Sequence, residues 1–461
     1  MTDLLTYHTK ENYPSHKGAI AGLLVVFGAF IAAGVYSLMY LWEKFDISAI
    51  IASLGIDTFF LDNMIYIAGF FGAIILFTIL VGIGASALAN RLGGTLIYIG
   101  AIFMNVMTWL GVILLWVATG FNFAALIAAW PIMIPGLFTL LITVLLFTVF
   151  KDRVKRAGEI IKLTGRVCLD EKGVFVPPLL TMIFTLVSAI LFAAITFTLA
   201  DFMGIPLDEF VAGTATITVE NGWPLIVGLV LYLFVTIFFY NFAYATSSGM
   251  VYIYMRGQDP GLGDGIKGAL NVIGGIIVLS IAGVIVRLIV MAIRALTRNQ
   301  GVAGRAVGGI AAGIINWVWA LINYFTIPVM VAEEKGAKDG IKTSASLVKN
   351  NFVDVIIKET AVRWGFGVLA FFVFFSFTVG GAVIGWFLSA GDILTTILLA
   401  ILFLIFAAIP STLILRTFDI VYVTLLYIFI RKKEGDISGK TRIPADMNKE
   451  LDRAYTSAKN Q

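Results

Sequence analysis

Residues 336–352 read GAKDGIKTSASLVKNNF, and residues 261–273 read GLGDGIKGALNVI. Both open Gly-x-x-Asp-Gly-Ile-Lys, so Gly261, Asp264, Gly265, Ile266 and Lys267 answer to Gly336, Asp339, Gly340, Ile341 and Lys342. Met255 and Met330 stand six residues upstream of the two leading glycines, in one register. Each copy follows a long apolar segment. The pattern reads as an internal repeat, a turn and a helix start set twice at the end of a membrane-length helix. Asp264, Gly265, Lys267, Glu333, Asp339, Gly340 and Lys342 are the candidate hinge residues. In the first copy Pro260 and the glycines make a tight turn, with Asp264 as the expected N-cap. A phosphate loop is the other reading of Gly261-Leu-Gly-Asp-Gly, but it requires a preceding strand, and an apolar helix precedes it here.

The surrounding chain is 60% hydrophobic and 13% charged, with a mean hydropathy of +0.97. Water-soluble domains carry about 25% charged residues, so this composition points to an all-α, polytopic integral membrane bundle. A net charge of +4 is too small for a nucleic-acid footprint, and the basic residues sit beside apolar segments, where they meet lipid headgroups and fix orientation. Membrane lipids are therefore the expected partners, and a homo-oligomer or a second membrane protein stays open. Cys168 is alone, so an intrachain disulfide is excluded. His8 and His16 are the only histidines, and they lie in the polar N-terminal arm; neither a metal site nor a cofactor is expected. The apolar run 18–42 exceeds a signal-peptide core, so no cleaved leader is expected.

A bilayer core about 30 Å thick takes about 20 apolar helical residues. Segments 18–42, 65–89, 95–119, 123–150, 174–200, 223–254, 268–293, 306–330, 364–388 and 393–430 qualify, about ten spans, the last of them tilted or broken at Pro410. Residues 48–60 are apolar but short and read as an interfacial helix. Residues 151–172 carry seven basic side chains and 201–222 carry none. The positive-inside rule then places 151–172, the 256–267 loop, 331–363 and both termini in the cytoplasm of a cell-membrane protein. Arg294, Arg298 and Arg305 fall on the other side: either this loop is an exception, or 285–306 holds an amphipathic or re-entrant element.

Three regions follow: a four-span module over 1–150, a six-span unit with the repeat over 151–436, and a polar tail over 437–461. Two cytoplasmic segments are amphipathic. In 154–168, Val154, Ala157, Ile161, Thr164 and Cys168 form a stripe opposite Lys155, Arg156, Glu159, Lys162 and Arg166. In 337–352, Ile341, Ala345, Val348 and Phe352 oppose Lys338, Lys342 and Lys349. Such helices either lie in the headgroup region or rest, solvated, on the bundle.

The basic helix leading to VFVPPLL (174–180), then DPGLGDGIKGA (259–269), YFTIPVMVAEEKGAKDGIKTSASLV (324–348) and YIFIRKKEGD (427–436) carry a resemblance. Over about residues 156–436 the chain resembles a family of uncharacterised bacterial and archaeal multi-pass membrane proteins. More distantly it is similar to the membrane domain found with some glycerophosphodiester phosphodiesterases. The resemblance implies paired helix–loop–helix units and carries no activity with it; no phosphodiesterase catalytic domain is visible.

Charges inside apolar segments are the remaining candidates: Arg287, Arg416 and Asp419. Intramembrane charges pair or face a cavity, or else snorkel to the headgroups. Arg416 and Asp419, three apart, are placed to pair along one helix face. Asn105, Asn241, Ser247, Ser248, Asn271, Asn316 and Asn323 either line a cavity or bond between helices. No acid–base or metal constellation marks an enzyme. The leading expectation is a transporter-like permease or a binder of a small amphipathic molecule or lipid, its two copies arranged as a parallel repeat. The alternative is a non-transporting scaffold or accessory subunit that organises lipid or partner proteins.

The topology is checked by cysteine labelling of intact cells in a Cys168→Ser background. Probes at Asp208→Cys and Lys342→Cys are expected to react from opposite sides; reaction from one side rejects the ten-span arrangement.

Overall fold

The computed structural model describes residues 17–46, 48, 56–124, 130–206, 219–388 and 391–434. Among them there is no strand. Among the described residues nine helices are long and apolar enough to cross a membrane, and the protein is an all-α polytopic membrane bundle. In chain order the helices are α1 (Lys17–Lys44), α2 (Ile56–Leu92), α3 (Gly94–Ala118), α4 (Trp130–Phe147), α5 (Lys151–Asp170) and α6 (Val176–Phe202). They continue as α7 (Val219–Met255), α8 (Leu262–Asn271), α9 (Ile273–Arg298), α10 (Gly301–Ile322), α11 (Thr326–Glu333) and α12 (Ala337–Asn350). Then come α13 (Phe352–Ile357), a π-helical turn (Lys358–Val362), α14 (Arg363–Leu388) and α15 (Ile393–Lys433). The expected fourth span is described over α4, whose apolar portion Gly136–Phe147 is shorter than the rest. The tail over 437–461 lies outside the described residues.

Several expectations shift. The interfacial helix expected at 48–60 is described from Ile56 onward, and there it is the start of α2. Pro410 does not break α15, which runs through it for 41 residues. No re-entrant element interrupts 285–306: α9 continues to Arg298, and a turn with Gly301 at φ +71° starts α10 directly. The segment 331–363 does not stay outside the bundle. Residues 352–363 form the first turns of the helix that continues as α14, because Val355, Ile357, Ala361 and Val362 bury against the neighbouring helices.

The amphipathic helix α5 neither floats in an interface nor rests on the surface. It sinks between α2, α3 and α15, and Arg156 and Glu159, expected on its polar face, are buried with the apolar stripe. Glycine makes this approach available. A Cβ at Gly158 would stand 2.5 Å from the Gly94 Cα, and one at Gly165 would stand 2.5 Å from the Ser86 carbonyl oxygen. The two glycines are seven residues apart, on one helix face. Arg156 is tolerated because its guanidinium meets Asp354 of α13, which also takes Arg153 at 3.2 Å. In α12 the buried stripe is rotated from the expected one: Ala337, Gly340, Ser344, Leu347 and Val348 face inward, while Phe352 is 44% exposed.

The two hinges share their geometry. Gly261 (φ −79°, ψ 155°) and Gly336 (φ −69°, ψ 167°) are both extended N-caps, of α8 and α12. Asp264 is therefore not the N-cap; it stands at the third helical position, where its carboxylate accepts the Gly261 N–H at 3.1 Å. The fifth residue of each motif packs on the preceding span. A Cβ at Gly265 would lie 2.7 Å from Met250 Cγ, and one at Gly340 would lie 2.8 Å from Met330 Cγ. The methionine matching Met330 is thus Met250 rather than Met255, because the loop of the first copy is five residues longer.

Cys168 is fully buried on the inner face of α5, and burial pushes its thiol pKa up. Thiolate is the reactive form, so maleimide should leave the folded protein unlabelled at neutral pH and modify it fully in denaturant. Stoichiometric labelling of the native protein would contradict the packing of α5.

Candidate functional site

Halfway along the bundle the helices part. A cavity of about 410 Å³ is lined by α7, α9, α10, the π-helical turn and α15. Its α9 liners run from Leu279 to Arg287, about 9 to 21 Å from the start of that helix at about 1.5 Å per residue. Polar and aromatic side chains meet here: Tyr240, Asn241 and Tyr244 from α7, Asn316 and Trp319 from α10, and Asn323 and Tyr324 from the break before α11. A second cleft, about 730 Å³, lies between α2, α14 and α15; Ser376 is the one side chain with a polar group among its liners, and it offers little chemistry.

The cavity is organised around Lys358. Its side chain is 2% exposed, and its ammonium bridges Asp419 of α15 and Glu359 (2.8 Å) while lying 5.1 Å from the centroid of the Tyr324 ring. Glu359 in turn accepts from Arg363 at 3.2 Å. The π-helical turn over Lys358–Val362 widens the helix where these charges leave the backbone; such bulges recur at functional sites. Asn241 donates to Ser280 Oγ at 3.0 Å, joining α7 to α9 at the cavity wall. The Tyr324 hydroxyl is buried and has no hydrogen-bond partner among the described residues.

Of the charges singled out from the sequence, Arg287 and Asp419 line this cavity and Arg416 does not. Arg287 is exposed and makes no ion pair with a described residue. The expected Arg416–Asp419 pair does not form. Asp419 turns to Lys358 instead, and Arg416 lies over the Tyr240 ring at 5.9 Å. Asn241, Asn316 and Asn323 line the cavity, whereas Asn105 bonds to Thr143 at 2.6 Å elsewhere in the bundle.

The candidate hinge residues gather at one end of the bundle, away from the cavity. Asp264 and Lys267 are 3.7 Å apart on the surface of α8, and Asp339 and Lys342 are exposed on α12. Glu333 is different. Only 5% exposed, it accepts from Tyr427 (2.5 Å), Arg431 (2.9 Å) and Lys335 (2.6 Å), tying α11 to the end of α15. Ser344 Oγ accepts the Phe325 N–H at 2.9 Å, which satisfies a backbone donor freed by the break between α10 and α11.

Lys358, Glu359, Tyr240, Tyr244 and Tyr324 were not among the candidates. A sequence signal for two of them exists: Tyr244-x-Thr246-x-x-x-Met250-Val251 returns as Tyr324-x-Thr326-x-x-x-Met330-Val331. Each copy places a tyrosine at the cavity and a methionine under the hinge glycine.

Residues 224–437, which include every residue lining the cavity, match the model of a family of unknown function, DUF6159. A comparison with curated proteins returns no match.

Lys358 and Asp419 should behave as a coupled pair. Breaking a buried pair costs about 3–5 kcal/mol; because Asp419 is 37% exposed, Asp419→Asn should cost less, on the order of 2 kcal/mol. Lys358→Met in that background should recover part of the loss in a thermal-unfolding assay. A double variant that loses the sum of the two single losses would show that the pair is uncoupled.

Proposed function

We propose that the protein is a transporter-like permease that takes a small amphipathic molecule or lipid into the cavity between α7, α9, α10 and α15. The observation that carries this reading is the cavity itself: a polar, charged hollow halfway along apolar helices. A purely structural bundle has no use for it, since intramembrane charge is costly unless it serves a pathway or a site. Its volume falls in the range of small-molecule pockets, roughly 300–1,000 Å³. Movable parts adjoin it. Helix α10 breaks at Asn323–Phe325, and α10 packs on α9 and α12 without extensive contact to α14 or α15. The α9–α10 hairpin is thus the element free to rock against the rest. In this reading the host is the cell membrane, the hinge end and both termini face the cytoplasm, and the basic residues of α8 and α12 meet lipid headgroups.

One observation favours the alternative of a non-transporting scaffold: Glu359 and Asp419 are already neutralised by Lys358 and Arg363, so much of the polar lining is satisfied without a ligand. The two readings part on occupancy. Ala320 lines the cavity and is exposed, so tryptophan there fills the space without displacing the core. In nanodiscs, with empty discs subtracted, the neutral amphiphile Nile red should bind the wild type saturably and bind Ala320→Trp at least tenfold more weakly at unchanged melting temperature. Absence of saturable binding to the wild type favours the scaffold.

A further inference from the structure

We infer that the cavity selects an amphipathic anion, a molecule with one negatively charged head on an apolar body, and that Arg287 receives the head. This rests on the reading of the cavity as a binding site. Three cations line it, Arg287, Lys358 and Arg363, against two carboxylates, Glu359 and Asp419. Lys358 holds both carboxylates and Arg363 holds Glu359, so the excess positive charge falls on Arg287. A guanidinium keeps its charge in essentially any protein environment, so Arg287 cannot relieve the imbalance by losing a proton. It offers donors and no acceptor. What completes it is an acceptor carrying one negative charge: a carboxylate, sulfonate or phosphate ester.

The rest of the ligand is specified by the other liners. Trp319, Ile237 and Val286 give the cavity apolar walls beside its charges. The side between α10 and α14 has little packing to close it. An apolar tail can therefore leave the cavity sideways while the head stays at Arg287. Either a membrane-resident fatty anion or a water-soluble organic anion supplies this chemistry, and chain length separates the two.

The test displaces Nile red from the protein in nanodiscs with matched heads and tails. Dodecanoate is expected to displace the probe at least tenfold more effectively than dodecanamide, which has the same tail and no charge. That advantage, taken relative to each variant's own Nile red affinity, should fall to about twofold or less in Arg287→Gln and persist in part in Arg287→Lys. Hexanoate matching dodecanoate identifies a soluble anion as the source; hexanoate failing where dodecanoate succeeds identifies a membrane-resident one. Equal displacement by dodecanoate and dodecanamide, or an anion advantage that survives in Arg287→Gln, overturns the inference while leaving the cavity a binding site. If Nile red does not bind the wild type saturably, the binding-site reading itself fails.

Discussion

An ammonium sealed inside an apolar bundle can remain charged only if carboxylates come to it, and Lys358 brings two. Its partners lie on different elements: Glu359 is the next residue along the same helix, and Asp419 belongs to α15. The pairing therefore fixes the rotation of α15 relative to the α13–α14 helix, the pair with the most extensive contact among the described residues. It also explains the π-helical turn. A regular α-helix through Lys358–Val362 would place these charges differently with respect to α15, and the wider turn sets them at the cavity wall. Arg363, Tyr324 and the opening toward Arg287 are arranged around this one ion pair.

At the hinge end the constraint is close approach. α5 enters the groove between α2 and α3 through Gly158 and Gly165, and α8 and α12 settle on α7 and α11 through Gly265 and Gly340. In each case a side chain would meet backbone or a methionine at under 3 Å. Three amphipathic helices thus close one end of the bundle as packed parts of it, each followed by a long apolar helix. The buried Glu333, with Tyr427, Arg431 and Lys335, locks the end of α15 into the same layer. The α9–α10 hairpin, which carries Arg287, makes no extensive contact with α14 or α15.

Much of the architecture was legible in the amino-acid sequence because the bilayer imposes a length and an apolar composition that a linear reading detects. Nine of the membrane-length helices and the helix starts after the two Gly-x-x-Asp-Gly-Ile-Lys turns follow from hydropathy and glycine placement alone, although the N-caps are Gly261 and Gly336 and not the expected Asp264. Arg287 and Asp419 were visible for the same reason, as charges where apolar residues are expected. Lys358 and Glu359 were not, since a Lys-Glu pair just before a span looks like the end of a loop. Only the burial of Val355, Ile357, Ala361 and Val362 on one continuous helix carries the pair into the bundle.

What the sequence by itself determined is what depends on local pattern: the helical class, the extents of most spans, the hinge turns and which charges are out of place. The tertiary structure alone decided the partners. Asp419 has Arg416 three residues away on its own helix and takes Lys358 from another. Arg156, read as a surface charge, is buried against Asp354. The reason is physical: helix periodicity is a property of neighbours in sequence, whereas an ion pair in an apolar medium forms between whichever opposite charges the packing brings within reach. Glycine contacts between α5 and its neighbours, which set that packing, join residues 64 to 79 positions apart.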